Sequence, residues 1–293
     1  MKKILVTGTA GFIGFHLAKE LLKQGNYIIG LDCINDYYDP RIKNKRNQIL
    51  IKNKNYKFYK QDITNFEELN KIIKEENPEA IVHLAAQAGV RYSLTNPWAY
   101  ENANNLGTLN IFESAKLNKI NRVIFASSSS VYGNNKKIPF LESDRTDTPI
   151  SLYAASKKSN EVLAHSYHHL YGIQTAGLRF FTVYGPLGRP DLALFKFAKS
   201  ILQDKPINLY NNGDMGRDFT FVEDIVSGII GAINKKDLKY EIYNLGGDNP
   251  VTLKRFVELI EENLHKKAKI NLLPMQPGDV KETYADISKA KKD

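Results

Sequence analysis

Gly8, Gly11 and Gly14 follow the apolar run KILVTG at 3–8 and open a stretch of helical period from Ile13 to Lys23. A buried strand must therefore turn sharply into a helix. Gly8 makes the turn, Gly11 lets the backbone approach a diphosphate, and Gly14 brings helix and strand close. Such a unit opens a doubly wound parallel sheet and holds a dinucleotide at the helix N-terminus. The next apolar run, YIIGLD at 27–32, ends in Asp32, near the ~20-residue offset at which a carboxylate meets the ribose hydroxyls. A carboxylate there repels a 2′-phosphate, so the expected cofactor is NAD rather than NADP.

Further apolar runs at 56–62, 80–86, 122–129 and 175–181 alternate with helix-period stretches such as Phe66 to Glu75 and Tyr100 to Leu117. This alternation predicts an α/β fold whose parallel sheet is covered on both faces. After residue 182 the texture changes to short elements punctuated by YGPLGRPD, NNGDMGRD, NLGGDNP and MQPGD. We expect a Rossmann-type sheet domain over 1–181 and a smaller substrate-binding lobe over 182–293. The lobe should be interleaved with the sheet at the strand ends, where open sheets hold ligands. Asp62-Ile63 and Leu84-Ala85-Ala86 close the third and fourth runs at that edge, either lining the cofactor or simply ending buried strands.

The fifth run ends in Ser127-Ser128-Ser129-Ser130, and farther on stands Tyr153 with Lys157 four residues later. One helical turn separates these two side chains, so they share a face. A tyrosine, with a pKa of about 10, is a poor base at neutrality, but a neighbouring ammonium and a positive nicotinamide both favour its phenolate. Ser128 can bridge a substrate oxygen to that phenolate. Joined to the glycine loop and Asp32, this order predicts proton abstraction by Tyr153, activated by Lys157.

The net charge is +9, and residues 41–60 alone carry eight Lys or Arg and no acid, with Tyr56, Phe58 and Tyr59 among them. A solvated helix followed by a short strand accounts for that patch, and no nucleic-acid partner is expected. The single cysteine, Cys33, excludes a disulfide framework and points to a reducing cytoplasm. No stretch approaches the ~20 apolar residues of a membrane span. The start looks like a secretory leader but is broken by Thr7, Gly8, Thr9, Gly11 and His16, so no export is expected. His165, His168 and His169 have no acidic or cysteine partners at ligand spacing, and no metal is expected.

Over nearly its whole length the chain resembles the extended short-chain dehydrogenase/reductases, and within them the nucleotide-sugar epimerases. It is most similar to the UDP-glucuronate 4-epimerases in LDCINDYYDP, HLAAQAGVRYS, SSSSVYG, SLYAASKK, LRFFTVYGPLGRPD, GDMGRDFTF and PMQPGD. The resemblance implies that Phe12, Ile13, Asp32, Asn35, Asp62, Ile63, Ala85, Asn104, Tyr153, Lys157 and Phe181 line an NAD site. Thr182, Arg189, Tyr210, Arg217 and Asp279 would line a UDP-sugar site, with Arg91 and the serines 128–130 facing the sugar. In that site Arg217 suits a diphosphate and Tyr210 a uracil ring.

The implied reaction is NAD-dependent inversion at C4 of UDP-glucuronate for polysaccharide synthesis, in a homodimer paired through helices at 100–117 and 152–171. A neutral or N-acetylated sugar stays open as substrate. Dehydratases of the family carry an Asp-Glu pair, and decarboxylases a Glu, where this chain has Ser129 and Ser130. Non-catalytic relatives lose the Tyr and Lys, and both are present here. A 4-keto hexuronate is a β-keto acid prone to lose carbon dioxide. Arg189 is expected to hold its carboxylate bidentately, with a hydrogen bond from Ser130. Relatives also continue beyond the TYAD stretch, so a further helix is expected to cover apolar surface of the second lobe.

Overall fold

The computed structural model describes residues 1–276 and 278–293. The predicted runs form β1 (Lys3–Thr7), β2 (Tyr27–Asp32), β3 (Tyr56–Lys60), β4 (Ala80–His83), β5 (Arg122–Ser128) and β6 (Gln174–Phe180). Beyond them lie β7 (Thr182–Tyr184), β8 (Ile207–Leu209), β9 (Gly216–Phe221), β10 (Tyr240–Leu245), β11 (Pro250–Thr252) and β12 (Ile270–Leu272). The main sheet has the order β10-β6-β5-β4-β1-β2-β3, with every pair parallel. This is the doubly wound Rossmann-type arrangement.

Helices follow most strands: α1 (Phe12–Lys23), α2 (Pro40–Ile51), α3 (Phe66–Glu76), α4 (Val90–Thr95), α5 (Pro97–Tyr100), α6 (Gly107–Leu117) and α7 (Leu152–Tyr171). The later ones are α8 (Ala193–Leu202), α9 (Val222–Asn234), α10 (Leu253–Leu264) and the short α11 (Ser288–Lys292). Successive strand residues face opposite sides of a sheet, and the two cores divide accordingly. Ile4 and Val6 of β1 pack with Leu17 and Leu21 of α1 and Ile225 and Ile229 of α9. Leu5 packs with Ile73 of α3, Phe112 of α6 and Ala164 of α7 on the other face.

The smaller lobe is built from the sheets β11-β9-β7 and β12-β8, and part of it closes over Ile201, Leu209, Phe256 and Ile260. It is not contiguous in sequence, because α9 and β10 return to the main sheet between its parts. Two local expectations are corrected. The stretch from Tyr100 to Leu117 is not one α-helix, since residues Glu101–Leu106 form a π-helical segment between α5 and α6. The basic stretch is not wholly solvated: Lys43 and Arg46 of α2 are buried, Arg46 completely. Tyr56 is buried too, its hydroxyl donating to Thr9 Oγ1 at 3.0 Å. No described helix is long and apolar enough to cross a membrane.

Candidate active site

The turn after β1 is as tight as its glycines require. Gly8 has φ +78°, and a Cβ at Gly14 would lie 2.1 Å from the Gly8 carbonyl oxygen, so helix and turn meet as only glycine allows. The N-terminus of α1, with Phe12, Ile13 and Gly14 in its first turn, has no side-chain cap and no acidic residue in that turn, which suits an anion. Across the turn, Thr7 Oγ1 accepts from the N–H groups of Leu84 and Ala85 at 3.1 and 3.0 Å, pulling the loop after β4 against it. Thr7 also meets His83 Nδ1 at 2.8 Å, and burial lowers His83 to about 3, so this ring is neutral.

Asp32 lies at the carboxyl end of β2, buried, with its oxygens accepting from the N–H groups of Ala10 and Ile34 at 3.1 and 2.8 Å. Burial raises its pKa. A carboxylate accepts about four hydrogen bonds, so these two leave capacity for ribose hydroxyls. Asn35 accepts from Lys43 Nζ, and the exposed Asp62 accepts from Thr64 N–H and hydroxyl. Ile63 packs against Gly107. The uncapped helix, the glycine turn and Asp32 form a donor and acceptor set that fits a dinucleotide.

Two residues expected to line the cofactor have their side chains committed elsewhere. The Asn104 amide, in the π-helical segment, donates to the Gln87 carbonyl at 3.0 Å and Ser156 Oγ at 2.9 Å while accepting from Gln87 N–H at 2.8 Å. It therefore fastens the loop carrying Leu84, Ala85 and Ala86 to α7. The Phe181 ring, between β6 and β7, is buried in the cluster of Tyr132, Phe140 and Ala285.

Tyr153 and Lys157 occupy consecutive turns at the start of α7, whose N-cap Ser151 accepts from Ala154 N–H. Burial pushes the Tyr153 phenol up, while the Ser128 hydroxyl and the Arg189 guanidinium beside it pull it back. Lys157, one turn from Tyr153, donates to the Ala126 carbonyl at 2.8 Å, and burial lowers its pKa to about 8. Ser128 ends β5 and accepts from Ser130 N–H at 3.2 Å.

A cleft of about 160 Å³ lies between the sheet edge and the smaller lobe, lined by Ser129, Ser130, Thr182, Arg217 and Asp279. The structure thus brings five of the expected substrate residues together. Arg217 donates to the Gly216 and Lys281 carbonyls at 2.7 and 3.1 Å, which fixes its guanidinium on the wall. Arg91 donates to Asp279 at 3.1 Å and lies 4.5 Å from the centre of the Tyr210 ring. One face of Tyr210 is therefore already covered, and a uracil would have to use the other.

The expected clamp at Arg189 is also filled. Its Nε and Nη2 donate bidentately to Asp191 at 3.0 and 2.5 Å, so the fork assigned to a substrate carboxylate holds an internal one. Asp191 was not singled out by sequence, although an acid two residues from the arginine was the available signal. Arg46 was missed as well. Lys43, Arg46, Asn47 and Leu50 are the buried residues of α2, and their spacing of three, four and seven marks one helix face.

Residues 4–246 match a family model described as the NAD dependent epimerase/dehydratase family. An uncharacterised protein of Methanocaldococcus jannaschii is 60% identical over 99% of this chain and 90% of its own length. A UDP-glucuronate 4-epimerase of Thermodesulfobacterium geofontis is 48% identical over 98% of this chain and 88% of its own. Among solved structures, the UDP-glucuronic acid 4-epimerase of Bacillus cereus with UDP-glucuronic acid and NAD superposes with a TM-score of 0.93 at 36% identity. It covers 99% of this chain and 92% of that one.

Proposed function

The chain belongs to the NAD-dependent epimerase/dehydratase family, and from that premise we propose that it inverts C4 of a UDP-hexuronate, interconverting UDP-glucuronate and UDP-galacturonate. The observation that carries this reading is the position of Tyr153 on the first turn of α7, facing Ser128 at the end of β5 beside the glycine turn.

NAD, when bound, supplies a reversible two-electron oxidation of the C4 carbinol. Tyr153 takes the hydroxyl proton, with Ser128 as the bridge, and returns it once the sugar has turned over in the cleft. Proton and electron pair are both given back, so the reaction is redox-neutral and the cofactor is retained. Lys157 holds the base-bearing turn against β5 through Ala126. Phe12, Ile13, Gly8, Gly11, Gly14, Asp32 and the 84–86 loop are assigned to NAD. Ser129, Ser130, Thr182, Arg217 and Asp279 are assigned to the UDP-sugar. In this division the first 181 residues supply the cofactor side together with Ser129 and Ser130 of the sugar side, and the remainder supplies the rest of the sugar side, apart from the returning α9 and β10.

Inversion is preferred over dehydration because Asp279 is the one carboxylate among the described residues lining the cleft, and it is paired with Arg91. Elimination needs an acid near the sugar, and Ser129 and Ser130 occupy that wall. The Asp191–Arg189 pair favours a second reading, a neutral or N-acetylated UDP-sugar, because it leaves the carboxylate clamp filled. Incubation with UDP-glucuronate, UDP-glucose and UDP-N-acetylglucosamine, resolved by proton NMR, separates the two. Turnover of the uronate alone supports the first reading, and turnover of the neutral sugars alone overturns it.

We further propose a homodimer, supported by the exposed Trp98, Leu109, Leu117, Val162 and Leu170 on helices α5, α6 and α7. An intracellular location fits the single cysteine, Cys33.

A further inference from the structure

Arg46 is completely buried, and each of its five N–H donors is used. Nε and Nη2 donate to the Leu187 carbonyl at 3.1 and 2.7 Å, and Nη2 also donates to the Gly188 carbonyl at 3.1 Å. Nη1 donates to the Ala10 carbonyl at 3.0 Å and the Tyr38 hydroxyl at 2.7 Å. Ala10 belongs to the glycine turn, whereas Leu187 and Gly188 immediately precede Arg189. One side chain therefore grips both the turn that meets the dinucleotide and the loop that meets the sugar. Leu187 has φ +52°, a conformation a branched residue adopts only when its surroundings impose it, and Arg46 caps the carbonyl of that residue. His16 on α1 adds a contact to the Pro186 carbonyl at 2.8 Å.

All the acceptors of Arg46 are uncharged oxygens, three carbonyls and one phenol. No carboxylate hydrogen-bonds this buried guanidinium, and the negative charge within its reach is Asp32, which accepts from Ala10 N–H on the far side of the same turn. An anion bound at the turn whose carbonyl Arg46 holds compensates it through a short, dry path. Filling the cofactor site then stiffens the Arg46 grip, and with it the 187–189 loop.

We propose that Arg46 is a positioning residue that couples the two sites, so that NAD bound at the glycine turn orders the loop carrying Arg189 and each ligand tightens the other. The coupling rests on the reading of the glycine turn as the NAD site and does not depend on which sugar is the substrate. Reciprocity follows from linkage: if the sugar nucleotide raises NAD affinity by some factor, NAD raises sugar affinity equally.

Two measurements on the full-length chain freed of NAD test this. Hydrogen exchange read by mass spectrometry, with NAD and no sugar present, should slow at the amides of 185–191 in the natural protein and stay unchanged there in Arg46→Lys, whose three donors sit on one compact nitrogen that cannot span both carbonyl sets. NAD titrated calorimetrically with and without saturating UDP should bind more tightly with UDP, by about 5- to 150-fold, the usual range for coupled sites. In Arg46→Lys that ratio should fall toward one even though NAD still binds. An unchanged exchange rate at 185–191 in the natural protein on adding NAD overturns the proposal without any variant needing to fold. A folded Arg46→Lys that keeps the full ratio overturns it as well. Failure of UDP-glucuronate to turn over would leave both results standing and bear only on the substrate.

Discussion

Lys157 is an ammonium placed where an ammonium is costly. Its ordinary pKa of 10.5 is lowered to about 8 by burial, so the unfolded chain binds more protons than the native one between those values. Stability therefore rises with pH across about pH 8 to 10.5, and at pH 7 the buried charge costs about 3 kcal/mol, since each tenfold change in proton affinity corresponds to about 1.4 kcal/mol. Lys157→Met removes that cost and also the hydrogen bond to Ala126, worth about 1 kcal/mol. The NAD-free variant should therefore be about 1–3 kcal/mol more stable at pH 7, with that advantage gone above pH ~10.5, where only the lost hydrogen bond remains and the variant is about 1 kcal/mol less stable, while catalysis falls. Urea unfolding at pH 7 and 10.5 checks both sign and window. His83 obeys the same sign at lower pH. Neutral down to about 3 in the native protein, it makes stability fall as pH drops below the ordinary histidine pKa of ~6.5. Urea midpoints of the natural protein and His83→Asn should diverge between pH 7 and 4, with the flatter dependence in the variant.

Helix α7 is anchored from behind its catalytic turn. Glu161, one turn past Lys157 and buried, accepts from Ser127 Oγ at 2.6 Å and bidentately from Arg179 at 2.8 and 2.9 Å. Arg179 Nη1 in turn donates to the Tyr132 hydroxyl at 2.9 Å. Glu161→Leu strands the buried Arg179 charge and should cost about 3–5 kcal/mol, whereas Glu161→Leu combined with Arg179→Met should cost less than the two single changes together. Denaturant midpoints of the four proteins decide this.

Elements of this kind were unevenly legible in the sequence. The six leading strands could be read because a parallel, doubly covered sheet demands short apolar runs, and glycines marked their ends. The π-helical segment could not, since ENANNL carries no apolar period and is set by the tertiary bonds of Asn104 to Gln87 and Ser156. The return of β10 to the main sheet is a long-range pairing that local pattern does not report. The catalytic pair was visible from its four-residue spacing. The Arg46 bridge to Leu187, which holds the loop of Arg189, was not visible because it is a contact across 141 residues.

At the scale of the whole molecule, the exposed apolar residues of α7 lie along the same helix whose first turn carries Tyr153. Val162 and Leu170 are 56% and 65% exposed, while Tyr153 starts the helix at the cleft. Val162→Asp should convert a dimer to a monomer in light scattering after size exclusion, and retention of the dimer would move the interface elsewhere. The central claim is a redox-neutral inversion at C4 with Tyr153 as base. Its most direct test is turnover of UDP-glucuronate carrying deuterium at C4, followed by NMR in ordinary water. The account predicts UDP-galacturonate with the deuterium retained at C4, formed about 10²–10⁴ times more slowly by Tyr153→Phe. Solvent hydrogen at C4, or an undiminished rate in Tyr153→Phe, would contradict it.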